Sequence, residues 1–529
     1  MGTKVNSNYE DLISFVRASG GGRATALRPV SYGDNELPSA SFEVIGTGTW
    51  DSLAFVDTVG SQVRPGVTSQ TSLTDGTTYA LFINITDITG ATQVRVDGLD
   101  GTDRLLGEGD HRISFASNGG TPRVRLEDTS TSVNDGFTLQ NALTAKEVLF
   151  DQPDGTLTLF EHPDNVPRVE WDADRNRLGL LVEESRTNLV TYSEDFSQWT
   201  GFSDPNEILA PDGTLTATKA RDNNQGTSAA VQLNEPVTVS TSTTYTYSVF
   251  GKKGQLNWMA LGIINFTTPS NGRVWFDLDN GVVGTQGSGL SGAIEEFPNG
   301  WYRCSVTFTT DATDTSGQLY IYLCEDDGQF VNTNRDGTSD LYVWGAQLEA
   351  GSFPTSYMKN EGTVSGKDRS ADVAKIPVAD FGYNHDASTF IVEASELGGL
   401  DSNLQRHTLF STETASALRL YVGKSGGGGG SGDEIYVGEG ASNTYFELGD
   451  ITQNTFYKVG VVVETDDISA SLNGGAIASD SSVALAKDET KIGIGSRTYS
   501  GTNIFNGHIK SIKYYPRRLS DAQLVELTS

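Results

Sequence analysis

Cysteine is almost absent from this chain of 529 residues, which has two, Cys304 and Cys324. Two cysteines cannot build a disulfide framework, and both fall in strand-like runs, RCSVTF and YIYLCE, so we expect buried free thiols. Long apolar runs are missing as well. No run approaches the roughly 18 residues that a membrane-spanning helix needs, and the opening MGTKVNSNYEDL lacks the apolar core of a secretion signal. We therefore expect neither membrane insertion nor Sec export.

Basic residues are the second shortage. The chain has 37 Lys and Arg residues against 68 Asp and Glu residues, which gives a formal net charge of −31. Nucleic-acid binding needs a basic face, so this balance argues against a nucleic-acid partner. It is compatible with a soluble surface protein or with cation binding.

Recognisable catalytic motifs are lacking too. No G-x-S-x-G elbow stands between a strand and a helix, and no histidine has a partner at metal-ligand spacing. The five histidines are His111, His162, His385, His407 and His508. Paired carboxylates for glycoside hydrolysis come together only in the fold, so they stay open at this point. We predict that the chain is not an enzyme and needs no cofactor, with a structural calcium ion as the one open case.

Glycine, threonine and serine are what the chain has in quantity. Sixty glycines and strand-like runs with period-two alternation predict an all-β protein with many turns. At about 150 residues per domain the length predicts three or four domains, and the spacing of the runs is typical of β-sandwiches. The predicted divisions are an N-terminal segment 1–38, a jelly-roll-like sandwich 39–147, an extended connector 148–189, a second sandwich 190–363 and a third 364–529.

Two runs look like copies of one another. LTDGTTYALFINITD in the first predicted sandwich and VSTSTTYTYSVFGKKG in the second both place small threonines before a strand that begins with tyrosine. We interpret this as an internal duplication of one jelly-roll unit.

Helix signals occur near both ends of the chain. Ser7 and Glu10 have capping-box spacing, and the apolar residues that follow, such as Phe15 and Val16, could form one helical face or a short strand. Ser520 and Gln523 have the same spacing, and Leu519 and Leu524 also stand at the hydrophobic-staple positions. The sequence therefore predicts a short C-terminal helix. The glycine-rich run 425–432 is predicted to be a flexible loop within the third sandwich, because strand-like runs lie on both sides of it.

A charged turn interrupts the apolar stretch LGLLVEESRTNLVTYSEDFSQW, residues 178–199. Glu183, Glu184 and Arg186 stand close enough for charge-assisted hydrogen bonds, because the planar guanidinium fits carboxylates. The alternative is an exposed charged turn between two strands, where such pairs contribute little to stability.

This stretch resembles the junction segment of bacteriophage virion proteins, mostly tail fibres and related adhesins, in which a GLLVEExRTNLxxYSEDF string precedes a carbohydrate-binding-module-like jelly roll. FVRASGGGRAT resembles the string that opens the same segment in those proteins, and residues 39–147 stand as an insert between the two strings. NGWYRCSVTF and YVWGAQLEAGSFPTSY resemble strings of the jelly roll itself. The run from FYKVGVVVE to the C-terminus resembles a concanavalin-like or laminin-G-like sandwich.

The resemblance implies a virion structural protein, a tail fibre or spike that binds a host-surface glycan, with other virion proteins as partners. It also implies a homotrimer, an N-terminal segment that attaches to the particle and a distal laminin-G-like unit. A head fibre or capsid decoration protein is the first alternative, since the same strings occur there. A capsule-degrading depolymerase is the second, although the chain shows no short repeat of the kind that a β-helix needs.

Aromatic side chains are the candidate sugar contacts. Trp258, Trp275, Trp301 and Tyr302 lie in the jelly-roll region, together with Trp344, and an exposed ring can stack on a sugar. The alternative for each is a buried ring that stabilises the core. This alternative is favoured most strongly for Trp301 and Trp344, which belong to the shared strings.

Aspartate-rich loops are the candidate metal sites. One loop holds Asp326, Asp327, Asp336 and Asp340. Another holds Asp97, Asp100 and Asp103. Calcium prefers carboxylate and carbonyl oxygens, but neither loop matches a calcium-loop pattern, so solvated turns are the favoured alternative.

Overall fold

The computed structural model contains three consecutive antiparallel β-sandwiches, so the predicted all-β class with serial β-sandwiches is confirmed. The structure describes residues 14–16, 24–37, 42–45, 48–50, 53–56, 66–69, 73–74, 77–90, 94–97, 104–116, 124–128, 132, 135–223, 230–332, 337–398, 406–412, 418–424, 433–439, 444–481, 489–497 and 503–529. The predicted N-terminal capping box at Ser7 and the loop 425–432 lie outside these ranges. No helix among the described residues is long and apolar enough to cross a membrane.

The first sandwich packs a larger sheet, in the order β14-β2-β13-β7-β12-β5-β4 with β10 also paired to β7, against the five-stranded sheet β3-β6-β11-β8-β9. The strands up to this point are β1 (Ser14–Val16), β2 (Ala24–Asn35), β3 (Phe42–Ile45), β4 (Thr49–Trp50), β5 (Ala54–Val56), β6 (Gly66–Ser69), β7 (Thr78–Thr89), β8 (Val94–Asp97), β9 (Arg104–Leu106), β10 (Gly109–Ala116), β11 (Arg125–Asp128), β12 (Gly136–Leu139), β13 (Thr144–Phe150) and β14 (Thr156–His162). Alternate residues of both sheets, such as Leu81 and Val96, meet in one core.

The second sandwich consists of a six-stranded sheet, β18-β19-β28-β21-β26-β25, and a five-stranded sheet, β20-β27-β22-β23-β24. The strands are β15 (Val169–Trp171), β16 (Arg177–Val182) and β17 (Arg186–Asn188) in the connector, then β18 (Ser203–Ile208), β19 (Ala217–Arg221), β20 (Val231–Thr238), β21 (Thr244–Lys253), β22 (Trp258–Ile264), β23 (Gly272–Asp277), β24 (Val282–Gln286), β25 (Ser291–Phe297), β26 (Trp301–Thr309), β27 (Ser316–Cys324) and β28 (Asp340–Ala350). Cys304 and Cys324 are buried free thiols, as predicted, and burial raises the pKa of Cys324 to about 12.

The third sandwich pairs two seven-stranded sheets, β1-β30-β39-β32-β33-β34-β35 and β15-β16-β40-β31-β36-β37-β38. β29 (Lys367–Arg369) precedes it and forms a separate two-stranded sheet with β17. The elements that follow are β30 (Val373–Pro377), β31 (Ala387–Glu396), β32 (Arg406–Thr412), β33 (Leu418–Lys424), β34 (Asp433–Glu439), β35 (Thr444–Ile451), β36 (Tyr457–Glu464), β37 (Asp467–Leu472), β38 (Ala478–Asp480), β39 (Lys491–Ile494), β40 (Gly507–Tyr515) and α1 (Asp521–Thr528). The predicted C-terminal helix is confirmed. Its capping box joins Ser520 and Gln523, and Leu519 and Leu524 share one buried cluster.

Strand pairing crosses the predicted divisions of the chain. β2 and β14 extend the first sandwich on either side of 39–147, while β16 of the predicted connector pairs with β40. β1 pairs with β30 in the third sandwich. Residues 14–16 of the predicted N-terminal segment therefore belong to the third sandwich, while attachment of that segment to a particle stays a prediction. A three-residue strand carries no sequence pattern that identifies so distant a partner.

The two runs that suggested a duplication have the same local geometry. The ring of Tyr79 at the start of β7 stacks on Phe115 at 5.7 Å, and its hydroxyl accepts a hydrogen bond from the Thr74 N–H. The ring of Tyr245 at the start of β21 stacks on Phe308 at 6.0 Å, and its hydroxyl accepts from the N–H five residues earlier in the chain. Matching contacts at matching positions support the interpretation of a duplicated unit.

The first and second sandwiches meet through an apolar contact. Leu27 and Leu157 of the first sandwich pack against Trp301 and Trp344 of the second. Both indoles are 1% exposed. The Trp301 Nε1–H donates to the Leu209 carbonyl and the Trp344 Nε1–H to the Thr216 hydroxyl. These tryptophans therefore join two sandwiches, which is an extension of the core role weighed for them.

A buried ion cluster ties all three sandwiches together, and we call Arg168, Glu183, Arg369 and Asp372 the junction cluster. Glu183 lies 2.8 Å from Arg168 and 3.5 Å from Arg369, and Asp372 also contacts both arginines. Each of the four is at most 1% exposed. Arg168 also donates to the Thr25 carbonyl in the first sandwich. Within the predicted turn of Glu183, Glu184 and Arg186, Glu184 pairs with Arg186 at 2.5 Å, whereas Glu183 belongs to the junction cluster.

Candidate functional site

The outer face of the five-stranded sheet in the second sandwich carries an aromatic surface. Along β27, Ile321 and Leu323 point into the core, while Tyr320 and Tyr322 lie in a separate cluster on the opposite face. This follows from the period-two alternation of strands. The two tyrosine rings stack with their centroids 5.3 Å apart and an interplanar angle of 14°. Tyr322 is buried, and Tyr320 is half-buried.

Small residues on the neighbouring strand make room for these rings. Gly262 of β22 lies opposite Tyr320 in the register. A Cβ at Gly262 would stand 2.7 Å from the Tyr322 ring, which is closer than real contacts allow. The glycine is therefore required for Tyr322 to lie across β22.

Arg273 lies on the far side of β22 and completes this face. It stands opposite Gly262 on β23, and its guanidinium lies 4.7 Å from the Tyr322 ring centroid and 4.0 Å from that of Phe330. Its Nη2–H donates to the Tyr322 hydroxyl at 3.1 Å. We call Tyr320, Tyr322, Arg273 and Phe330 the aromatic face.

An open cleft of about 670 Å³ adjoins the aromatic face at Gln318. The Gln318 Oε1 atom accepts hydrogen bonds from the Tyr320 hydroxyl at 3.0 Å and from the Asn265 amide at 2.8 Å. Tyr192 and Gln198 line the cleft as well. Small-molecule sites typically have volumes of about 300–1,000 Å³ with a few placed polar groups, and this cleft offers amides, hydroxyls and one partly exposed ring.

Glu235 lines the same cleft from the edge strand β20. Glu235 is 7% exposed, and its Oε1 accepts from the Thr191 N–H at 3.0 Å. Burial raises the pKa of Glu235 to about 7. A carboxyl group with such a pKa changes protonation near neutral pH.

The structure brings two of the predicted aromatic residues together. Trp258 and Trp275 lie in the same outer cluster as the tyrosines. Trp258 is half-buried. Trp275 is 7% exposed and its Nε1–H donates to the Gln329 carbonyl.

Two other predicted contacts lie elsewhere. Trp301 and Tyr302 belong to β26 in the opposite sheet. Trp301 presents no face to solvent because it is buried between the sandwiches, whereas Tyr302 is half-buried beside Gly281. Sugar binding by the four predicted residues stays a prediction.

Among the described residues, no group of three or more His, Cys, Asp and Glu side chains is placed to hold a metal. Asp327 accepts hydrogen bonds from the N–H and hydroxyl of Thr285, and Asp340 pairs with Lys219 at 3.0 Å. Asp326 accepts from the N–H of its neighbour in the chain. These contacts fit the turn role. Asp336, Asp100 and Asp103 lie outside the described residues, as does the side chain of Asp97.

Sequence reasoning missed Tyr320, Gln318, Asn265 and Arg273. The run QLYIYLC does alternate polar or aromatic residues with aliphatic ones, so one face of β27 was legible as distinct. The partner strand with Gly262, which creates the space beside the rings, is known only from the pairing.

No protein-family model matches the chain, and no curated protein matches it. Among solved structures, the CBM40 module of the Ruminococcus gnavus IT-sialidase bound to α2,3-sialyllactose is similar with a TM-score of 0.23 and 15% identity, over 28% of this chain and 86% of that one. The LG1–3 region of the laminin α2 chain has a TM-score of 0.18 and 9% identity, over 86% and 96%. A Trypanosoma rangeli sialidase with the inhibitor DANA has a TM-score of 0.23 and 9% identity, over 92% and 82%. Likenesses this distant assign no function.

Proposed function

We propose that this chain is a bacteriophage virion adhesin, a tail fibre or spike that binds a glycan on the host surface. The observation that carries the proposal is the continuity of the aromatic face with the polar cleft through Gln318. Sugar recognition uses a ring face for stacking together with amide or carboxylate groups for hydroxyls. Tyr320 supplies the ring and Gln318 and Asn265 supply the amides within one hydrogen-bonded row, and the Glu235 carboxyl group lines the same cleft.

The rest of the fold suits a display role. Binding groups on a rigid scaffold keep their geometry, and the junction cluster and the tryptophan contact hold the three sandwiches to one another. Single sugar contacts are weak, so linked copies raise the avidity. We propose a homotrimer on the particle for this reason, since symmetric assembly supplies the copies. The proposal is one of binding and not of catalysis.

Immunoelectron microscopy of intact particles tests the proposed location. Antibodies raised against the purified chain should label the tail tip or fibres. Label on the capsid would replace the tail assignment with the head-fibre alternative, and label on no particle would overturn the virion proposal. Release of reducing sugar from host polysaccharide by the purified chain would assign the depolymerase role instead.

A further inference from the structure

We propose that the glycan bound at this site carries an anionic group, a carboxylate or a sulfate, and that Arg273 is the residue that binds it. This inference rests on the proposed function and adds the chemical class of the ligand.

Arg273 has no counter-ion among the described residues. Several other arginines of the chain do. Arg28, Arg221 and Arg518 form ion pairs of 2.6–2.8 Å with aspartates. The polar partners of Arg273 are the Asn271 carbonyl at 3.2 Å and the Tyr322 hydroxyl at 3.1 Å, both of them neutral. Arg273 is half-buried, so a bound anion would meet a guanidinium whose two described polar partners are neutral.

The hydrogen bonds of Arg273 leave donors for a ligand. A guanidinium has five N–H groups. Nη1 and Nη2 use one each for the two neutral partners, so each keeps a second N–H without a described partner. The fork of a guanidinium matches the two oxygens of a carboxylate or an ester sulfate. The guanidinium carbon lies over the rings of Tyr322 and Phe330 and Nε is buried, so we place the anionic group at Nη1 and Nη2.

The position of Arg273 links this group to the cleft. Asn271 contacts both residues. Its carbonyl accepts from Arg273, and its side-chain Oδ1 accepts from the Asn265 N–H. Asn265 itself lines the cleft. Across the sheet, Arg273, Gly262 and Tyr320 form one register row. A sugar ring over Tyr320 would therefore have its substituents between Arg273 and the cleft amides.

A strongly acidic protein gains specificity from this arrangement. The net charge of −31 repels anions in general, with a range of roughly 8–10 Å at physiological salt. An anion placed at the Arg273 guanidinium recovers a favourable local interaction. The site would thus select for a correctly positioned anionic sugar over free anions.

A glycan array with matched pairs tests the inference on the full-length chain. Each carboxylated or sulfated oligosaccharide is printed beside its neutral counterpart, for example oligogalacturonate beside its carboxyl-reduced form. Wild type is compared with Arg273→Gln, with Arg273→Lys and with Arg517→Gln, a control that removes an exposed arginine from the third sandwich. Thermal melts confirm that each variant is folded.

We expect the bound glycans to be anionic, and Arg273→Gln to weaken them by about tenfold or more, while Arg517→Gln leaves them unchanged. Arg273→Lys should restore part of the affinity, because it keeps the charge and loses the fork. The carboxylated and sulfated arms identify which group is used. Neutral glycans bound equally by wild type and Arg273→Gln would overturn the inference and leave the proposed function intact. Binding to no glycan would overturn both.

Discussion

Replacing Glu183 with glutamine is the sharpest test of the junction cluster. The Glu183 carboxylate is 1% exposed and accepts hydrogen bonds from the Ser356 N–H at 2.8 Å and hydroxyl at 2.6 Å, beside its pairs with Arg168 and Arg369. Burial by itself would raise the pKa of Glu183, but the two guanidinium groups and Ser356 lower it well below its usual range. Glutamine keeps the shape and removes the charge.

The expected cost follows from the arginines that remain. With Glu183→Gln, two buried guanidinium groups share the single carboxylate of Asp372. Removing one partner from a buried ion pair costs about 3–5 kcal/mol, because the other charge stays buried. We expect the first unfolding transition in urea, followed by circular dichroism at pH 7, to lose about this much free energy. Because the cluster joins the sandwiches, the variant should also unfold in more separated steps than wild type.

The change in the free energy of unfolding at acidic pH has a defined direction. The folded pKa of Glu183 lies below its ordinary value of 4.5. Its contribution to the free energy of unfolding is therefore fully present above pH 4.5 and is lost as the pH falls from there through the folded pKa. Glu183→Gln should remove this part of the acid sensitivity. The control is Glu184→Gln, whose side chain is 39% exposed and pairs with Arg186, and we expect it to cost less than about 1 kcal/mol. Equal stabilities of the two variants would refute the role given to the junction cluster.

Two further predictions concern single groups. Burial raises the pKa of Glu235 from 4.5 to about 7, so between these pH values the folded state holds a proton that the unfolded state has lost. The free energy of unfolding should therefore fall by about 3 kcal/mol as the pH rises across this window, at about 1.36 kcal/mol for each of the 2.5 pKa units. Glu235→Gln should flatten this fall in urea midpoints measured at pH 5 and pH 8, and an unchanged slope would contradict the assignment. Ser520→Ala removes the cap of α1 and should cost about 1 kcal/mol in a thermal melt, whereas Ser520→Asp, which can also cap, should cost little. Equal losses in both variants would contradict the capping role.

The class of fold could be predicted from the sequence because the alternation of residues that marks a strand lies within the strand itself. The alternation in TYALFINI and TYTYSVFGKK predicted strands that the structure places as β7 and β21. Capping at Ser520 was equally local. The pairing of distant residues could not be predicted in the same way. The sequence predicted one charged turn of Glu183, Glu184 and Arg186, and the structure pairs Glu184 with Arg186. Nothing near Glu183 in the sequence indicates that its own partners are Arg168 and Arg369, so the buried cluster was missed.

The candidate site was predictable only in part, for a related reason. The tryptophans were predicted as sugar contacts because their rings are the largest. Whether a ring is buried depends on which face of its sheet another domain covers. The contact between the first two sandwiches buries Trp301, and the turn with Gln329 covers Trp275. Tyr320 is half-buried, and the long-range register that places it beside Gly262 is not written in either strand alone.

Equilibrium binding of the labelled full-length chain to cells of the host bacterium tests the central claim most directly. The chain is compared with Gln318→Ala, which removes the acceptor that links Tyr320 to Asn265, and with Gln255→Ala, an exposed glutamine in the turn before β22. The account predicts saturable binding by wild type and Gln255→Ala, and binding weakened by about tenfold in Gln318→Ala. The absence of saturable binding by wild type, or equal binding by all three proteins, would contradict it.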